Sequence, residues 1–87
     1  MFTVYVLYSQ KFNKIYIGYT SDLPNRLLSH NELATKGHTT KFRPWIIAYT
    51  EEFETKSEAL KREAQLKTAN GRAFVWDIIK EKFGDSD

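Results

Sequence analysis

The chain contains no cysteine. Disulfides are therefore excluded, and so are zinc or iron–sulfur sites built on thiolates. Glycine and proline are sparse, at four and two residues in 87, and no Gly-rich phosphate loop or low-complexity segment can be drawn. Neither a Ser/His/Asp arrangement nor a His-rich metal cluster is visible. No apolar run approaches the length of a membrane span, and the N-terminus lacks the layout of a signal peptide. A soluble, cytoplasmic protein is expected. Acid is scarce in one half. Residues 1–50 carry two acids against six Lys or Arg, whereas residues 51–87 carry nine against seven. The net charge of +2 is too small by itself to specify a nucleic-acid partner. A basic half favours a polyanion, although an ordinary mixed surface would look the same.

What is abundant is aromatic: six Phe, five Tyr and two Trp. The length suits one domain over residues 1–87, with a frayed tail at 84–87. A chain this short buries about 60% of its unfolded surface, so dense aromatic packing matters.

Phe2 to Ser9 (FTVYVLYS) is β-branched and aromatic and reads as a strand. Phe2, Val4, Val6 and Tyr8 line one face, Tyr5 and Leu7 the other. Apolar on both faces, it belongs in the interior of a sheet. Residues 10–14 make a polar connection of hairpin length, and Ile15 to Thr20 form a second strand. Whether Tyr5 and Tyr16 oppose one another depends on the register, which the turn leaves open. Asp22 and Pro24 start a helix from about Leu23 into the early thirties, with Leu23, Leu27 and Leu28 as its buried stripe. Arg26 and His30, four apart, share a face. Residues 35–43 form a basic polar loop, and Pro44 opens a third strand, PWIIAYT, apolar on both faces.

Thr55 to Glu58 has the pattern of a capping box, predicting a helix to about Lys67. Asn70-Gly71 is expected to break it. A last helix over Arg72 to Phe83 turns Val75, Ile78, Ile79 and Phe83 inward. The order β-β-α-β-α-α describes an α+β domain, a small antiparallel sheet with helices packed on it.

Four groups of residues could carry chemistry. Tyr5 and Tyr16 are ordinary strand tyrosines unless their phenols face a nucleophilic water; a phenol with pKa near ~10 is a poor base without help. Arg26 and His30 read as a surface pair, or as a phosphate fork beside a proton relay. Glu63 shares a helix face with Ala59 and Leu66. An acid there needs a basic partner or a divalent cation, and a lone carboxylate completed by water and phosphate oxygens suits magnesium. Lys36, His38, Lys41 and Arg43 are solvated loop charges or phosphate contacts. Together the groups supply a base, a phosphate clamp, a relay and a metal ligand, the requirements for cleaving a phosphodiester.

In order and spacing these residues resemble the GIY-YIG nuclease superfamily. The first half-motif is relaxed to Val4-Tyr5-Val6, and the second is intact at Tyr16-Ile17-Gly18. Arg26, His30 and Glu63 stand at the family's arginine, His/Tyr and metal-binding glutamate positions. YIGYT, then Pro24, Arg26, His30-Asn31 and RPW at 43–45, is similar to the catalytic module of nucleases that cut branched DNA. EALKREAQLK and the short length are similar to small stand-alone bacterial members.

The resemblance implies a three-stranded antiparallel sheet flanked by helices. It also implies a metal-dependent endonuclease on DNA, similar to structure-selective enzymes linked to repair, with Mg2+ or Mn2+ held by Glu63. Tyr5 would be the general base assisted by His30, Tyr16 would position water or phosphate, and Arg26 would offset developing charge. Gly18, on the same strand face as Tyr16, would keep the pocket open for phosphate. Three departures stand out. Tyr19 occupies the position after YIG where repair nucleases often have lysine. Asn70 is either a counterpart of an asparagine found after the metal glutamate in some relatives or a cap between helices. Finally, no targeting domain is visible, so specificity would come from loops or a partner protein. A nucleic-acid-binding module of the same fold with little cleavage is the alternative, and a protein-interaction domain a third.

Overall fold

The computed structural model describes residues 1–84; of the tail expected at 84–87, residues 85–87 lie outside the described residues. Three strands, β1 (Phe2–Ser9), β2 (Lys14–Thr20) and β3 (Ile46–Phe53), form one antiparallel sheet in the order β2-β1-β3. β1 is the central strand, which accounts for its two apolar faces. Val4, Val6 and Tyr8 join Ile17 and Ala48 in a core beneath the C-terminal helices. On the opposite face Tyr5 and Leu7 pack with Trp45, Leu23 and Leu27. The β1–β2 turn passes through Asn13 at φ 53°, a left-handed conformation that asparagine tolerates.

The helix α1 (Leu23–Leu28) starts where expected, with the Asp22 side chain accepting the Asn25 N–H at 3.3 Å. It continues into a π-helical turn over Ser29–Leu33. Its buried stripe is narrower than the leucines suggest. Leu23 and Leu27 face the sheet at i, i+4, while Leu28 is rotated away and exposed. The loop at 35–43 contains a 3-10 turn, His38–Phe42.

The third strand begins two residues after Pro44, and it is an edge strand. Although the strand reads as apolar on both faces, Ile46 and Ile47 are exposed. A bulge lets Val6 pair with Tyr49 and Leu7 with Ile47, leaving Ala48 over. Lys82 donates to the Ala48 carbonyl at 2.7 Å.

The helix α2 (Lys56–Leu66) is capped by Thr55, whose hydroxyl oxygen accepts the Glu58 N–H and donates to the Glu58 carboxylate. It ends at Leu66 with Lys67 as its C-cap, and Thr68 caps α3 (Ala69–Phe83) by accepting the Gly71 N–H at 3.1 Å. Asn70-Gly71 is thus inside the first turn of α3 and does not break a helix. A Cβ at Gly71 would lie 2.5 Å from the Leu66 Cα, so glycine is there because two helix backbones approach closely. Val75 and Ile79 are buried; Phe83 stacks on Tyr8 with ring centroids 5.3 Å apart. Gly84 belongs to the C-terminal cap of α3, donating its N–H to the Lys80 carbonyl at 2.9 Å.

Candidate active site

The register answers the question about the two tyrosines. Tyr5 sits opposite Gly18, and Tyr16 opposite Leu7, so the phenols are diagonal neighbours on one face with ring centroids 6.2 Å apart. A Cβ at Gly18 would lie 2.6 Å from the Tyr5 hydroxyl and 2.8 Å from Tyr5 Cζ. The missing side chain therefore admits the Tyr5 ring itself, the close neighbour that a glycine inside a strand signals.

A cavity of about 380 Å³ opens at the edge of β2. Tyr5 and Tyr16 line it from the sheet, with Gly18 between them. Arg26 enters from α1 and Glu63 from α2, and Tyr19 lines it from the other face of β2. Arg26 is exposed, and among the described residues none of its guanidinium donors is taken by a hydrogen bond. Glu63 is enclosed, its side chain 18% exposed, and its carboxylate meets Lys67 at 3.8 Å, an ion pair without a hydrogen bond.

His30 stands behind the cavity wall. Its Nε2 lies 3.1 Å from the Tyr5 hydroxyl and its Nδ1 2.9 Å from the Thr39 hydroxyl. With the proton on Nδ1, the ring donates to Thr39 and offers Nε2 as acceptor to Tyr5 O–H. Burial lowers the His30 pKa below its ordinary value, and the positive charges of Arg26 and Arg43 lower it further. The imidazole is therefore neutral at physiological pH. Burial raises the Tyr5 pKa well above the usual phenol range; Tyr16 and Glu63 add to the rise and Arg26 opposes it. In the free protein the proton stays on Tyr5.

The loop residues separate into different jobs. Arg43 is committed to carbonyls: its Nε donates to His30 O at 2.6 Å, and one terminal nitrogen to Ala34 O at 2.6 Å and Ser29 O at 3.3 Å. It caps the end of the π-helical turn that carries His30. Asn31 pairs with the backbone of buried Trp45 in both directions, accepting from Trp45 N at 2.6 Å and donating to Trp45 O at 2.9 Å. Lys36, His38 and Lys41 are exposed and do not line the cavity, and Asn70 lines a different hollow beside Phe74.

One cavity residue escaped the sequence reading. Lys56, in the first turn of α2, lines the same wall as Glu63. Nothing in its spacing marks it, because it arrives only through the way α2 crosses the sheet edge. It brings to the cavity a positive charge of the kind missing at Tyr19.

Whether a divalent cation suits these residues is a question of donor chemistry. Among the described residues no group of three or more His, Cys, Asp or Glu could hold a metal ion. A single enclosed carboxylate fits a hard ion that keeps most of its water, as Mg2+ does. Glu63 is that carboxylate.

Residues 1–75 match the family model of the GIY-YIG catalytic domain. The chain belongs to this family, and with it to the GIY-YIG nuclease superfamily. Among its GIY-YIG relatives is a UPF0213 protein of Staphylococcus saprophyticus, 43% identical over 58 residues, covering 67% of this chain and 71% of the relative. A UPF0213 protein of Staphylococcus aureus is 44% identical over 68 residues, covering 78% of this chain and 82% of the relative. The name UPF0213 specifies no reaction. The two half-motifs of this GIY-YIG domain are the central strand and its edge neighbour, joined at the Tyr5–Gly18 pair.

Proposed function

We propose that the protein is a divalent-metal-dependent endonuclease that hydrolyses phosphodiester bonds in DNA. One observation carries this reading. Two phenols, a guanidinium with no hydrogen bond among the described residues and an enclosed carboxylate, from four different elements, line one solvent-open cavity. Glu63 would hold Mg2+ or Mn2+, which supplies charge stabilisation for the phosphate and its leaving oxygen. Arg26 forks onto non-bridging phosphate oxygens, and Lys56 adds a second positive charge.

Tyr5 acts as a relay. Its oxygen accepts the proton of the attacking water while its own proton passes to His30 Nε2, so no free phenolate is needed. His30 is neutral and oriented by Thr39, the state that can receive the proton. Tyr16 packs against Tyr5 and His30, at 6.2 and 4.7 Å between ring centroids, and orients the water or phosphate.

A second reading is a binding module of the same fold. The tightly held Tyr5 proton and the absence of lysine at position 19 favour it. The test is incubation with linear, nicked, flapped and four-way DNA plus Mg2+ or Mn2+, alongside Glu63→Ala and Arg26→Ala. Cleavage by the parent and by neither variant supports the enzyme. Salt-sensitive binding without cutting supports the module. The panel also reads out any preference for branched DNA and thus a connection to repair.

A further inference from the structure

At the end of β2 away from the cavity, the β1–β2 turn meets the 3-10 turn and brings aromatic rings and cations together. Phe12 lies edge-on to Phe42, with centroids 5.5 Å apart at 73°. His38 tilts against the same Phe42 ring at 4.9 Å. Lys11 Nζ sits 5.5 Å from the centre of the Phe12 ring, and Lys14 Nζ 5.5 Å from that of Phe42. Phe12 remains 40% exposed, and His38 is exposed. Neither lysine pairs with a carboxylate among the described residues. The segments 10–14 and 35–43, which carry these residues, contain no Asp or Glu.

We infer that this surface is a docking platform for an unpaired nucleic-acid strand leading into the cavity. The inference rests on the nuclease reading only for the strand's destination. Exposed rings flanked by uncompensated cations are what single strands require: flat faces for bases and positive charge for the backbone. A duplex, with its bases stacked inward, offers nothing to the rings. Position supports the occupant as well. Lys14 lies on the same face of β2 as Tyr16 and Gly18. Gly18 lies four residue steps along the strand from Lys14, roughly 13 Å, a distance a nucleic-acid strand crosses in a few nucleotides. A phosphate in the cavity thus leaves its neighbours within reach of the rings.

The test is fluorescence anisotropy with one labelled oligonucleotide, used single-stranded and annealed to its complement, in EDTA so that nothing is cut. Phe12→Ala should weaken single-strand binding about fivefold or more and leave duplex binding unchanged, and Phe12→Trp should restore it. Lys14→Ala should weaken both and reduce the slope of log affinity against log salt by about 1. Thermal unfolding of each variant controls for folding. Unchanged single-strand binding by Phe12→Ala, or equal losses on single strand and duplex, would overturn the inference. Cleavage is scored separately with Mg2+. A parent that binds single strands through Phe12 without cutting sinks the nuclease reading alone, and a parent that cuts but ignores Phe12 sinks the platform alone.

Discussion

Gly18 shows how one missing side chain shapes a site. The Tyr5 phenol occupies the volume a Cβ would need, and Tyr5 is only 2% exposed, so the two groups cannot share the space without a shift. Gly18→Ala should therefore cost about 1–3 kcal/mol of stability by overpacking. It should also displace Tyr5 from His30, so cleavage falls further than the stability loss explains. Denaturant unfolding and cleavage rates at matched folded fractions check this. Lys56 belongs to the same scale. Lys56→Ala should lower cleavage by about tenfold, the loss of one charge-assisted phosphate contact, without a change in stability. An unchanged rate would remove Lys56 from the site.

Between elements, the joint that places His30 is made of polar clamps. Asn31 satisfies both backbone groups of Trp45, and Arg43 caps the carbonyls of Ser29, His30 and Ala34. Asn31→Ala strands the Trp45 N–H in a partly buried position and should destabilise by about 1–3 kcal/mol, measured by chemical denaturation. This joint also marks where sequence reasoning stops. Arg43 looked like a loop charge because its carbonyl partners lie nine to fourteen positions back in the chain. Asn70-Gly71 resembled a break because glycine is a poor helix former; contact between the α2 and α3 backbones, which no local pattern reveals, explains it. By contrast, the strands and the Thr55 cap were legible because their causes are local: β-branched alternation and a hydroxyl three residues from its amide. Arg26 and His30 could be placed on one face for the same reason, as could Glu63 with Ala59 and Leu66. Lys56 could not, since its role depends on how α2 crosses β2.

Across the whole molecule, the pH response follows from His30. Its pKa in the folded state is lower than in the unfolded chain, where it is near ~6.5. The unfolded chain therefore binds more protons as pH falls through that region, and stability drops with it; the contribution is fully present above the unfolded value. Protonated His30 also cannot accept the Tyr5 proton, so cleavage should fall on the same acidic side. Chemical denaturation and cleavage rates followed from pH 5 to 8 should both rise and level off. In His30→Gln the titration of activity should vanish along with most of the activity.

The central claim is that Arg26 and Glu63 act on one phosphate. The direct measurement is a cycle of cleavage rates for the parent, Arg26→Ala, Glu63→Ala and the double variant on one labelled DNA with Mg2+, with circular dichroism confirming the fold. Each single change should cost about a hundredfold or more, and the double variant should be no slower than the worse single, because groups acting as a unit do not lose activity additively. A parent that does not cut, a single variant that cuts normally, or losses that multiply in the double variant would contradict the account.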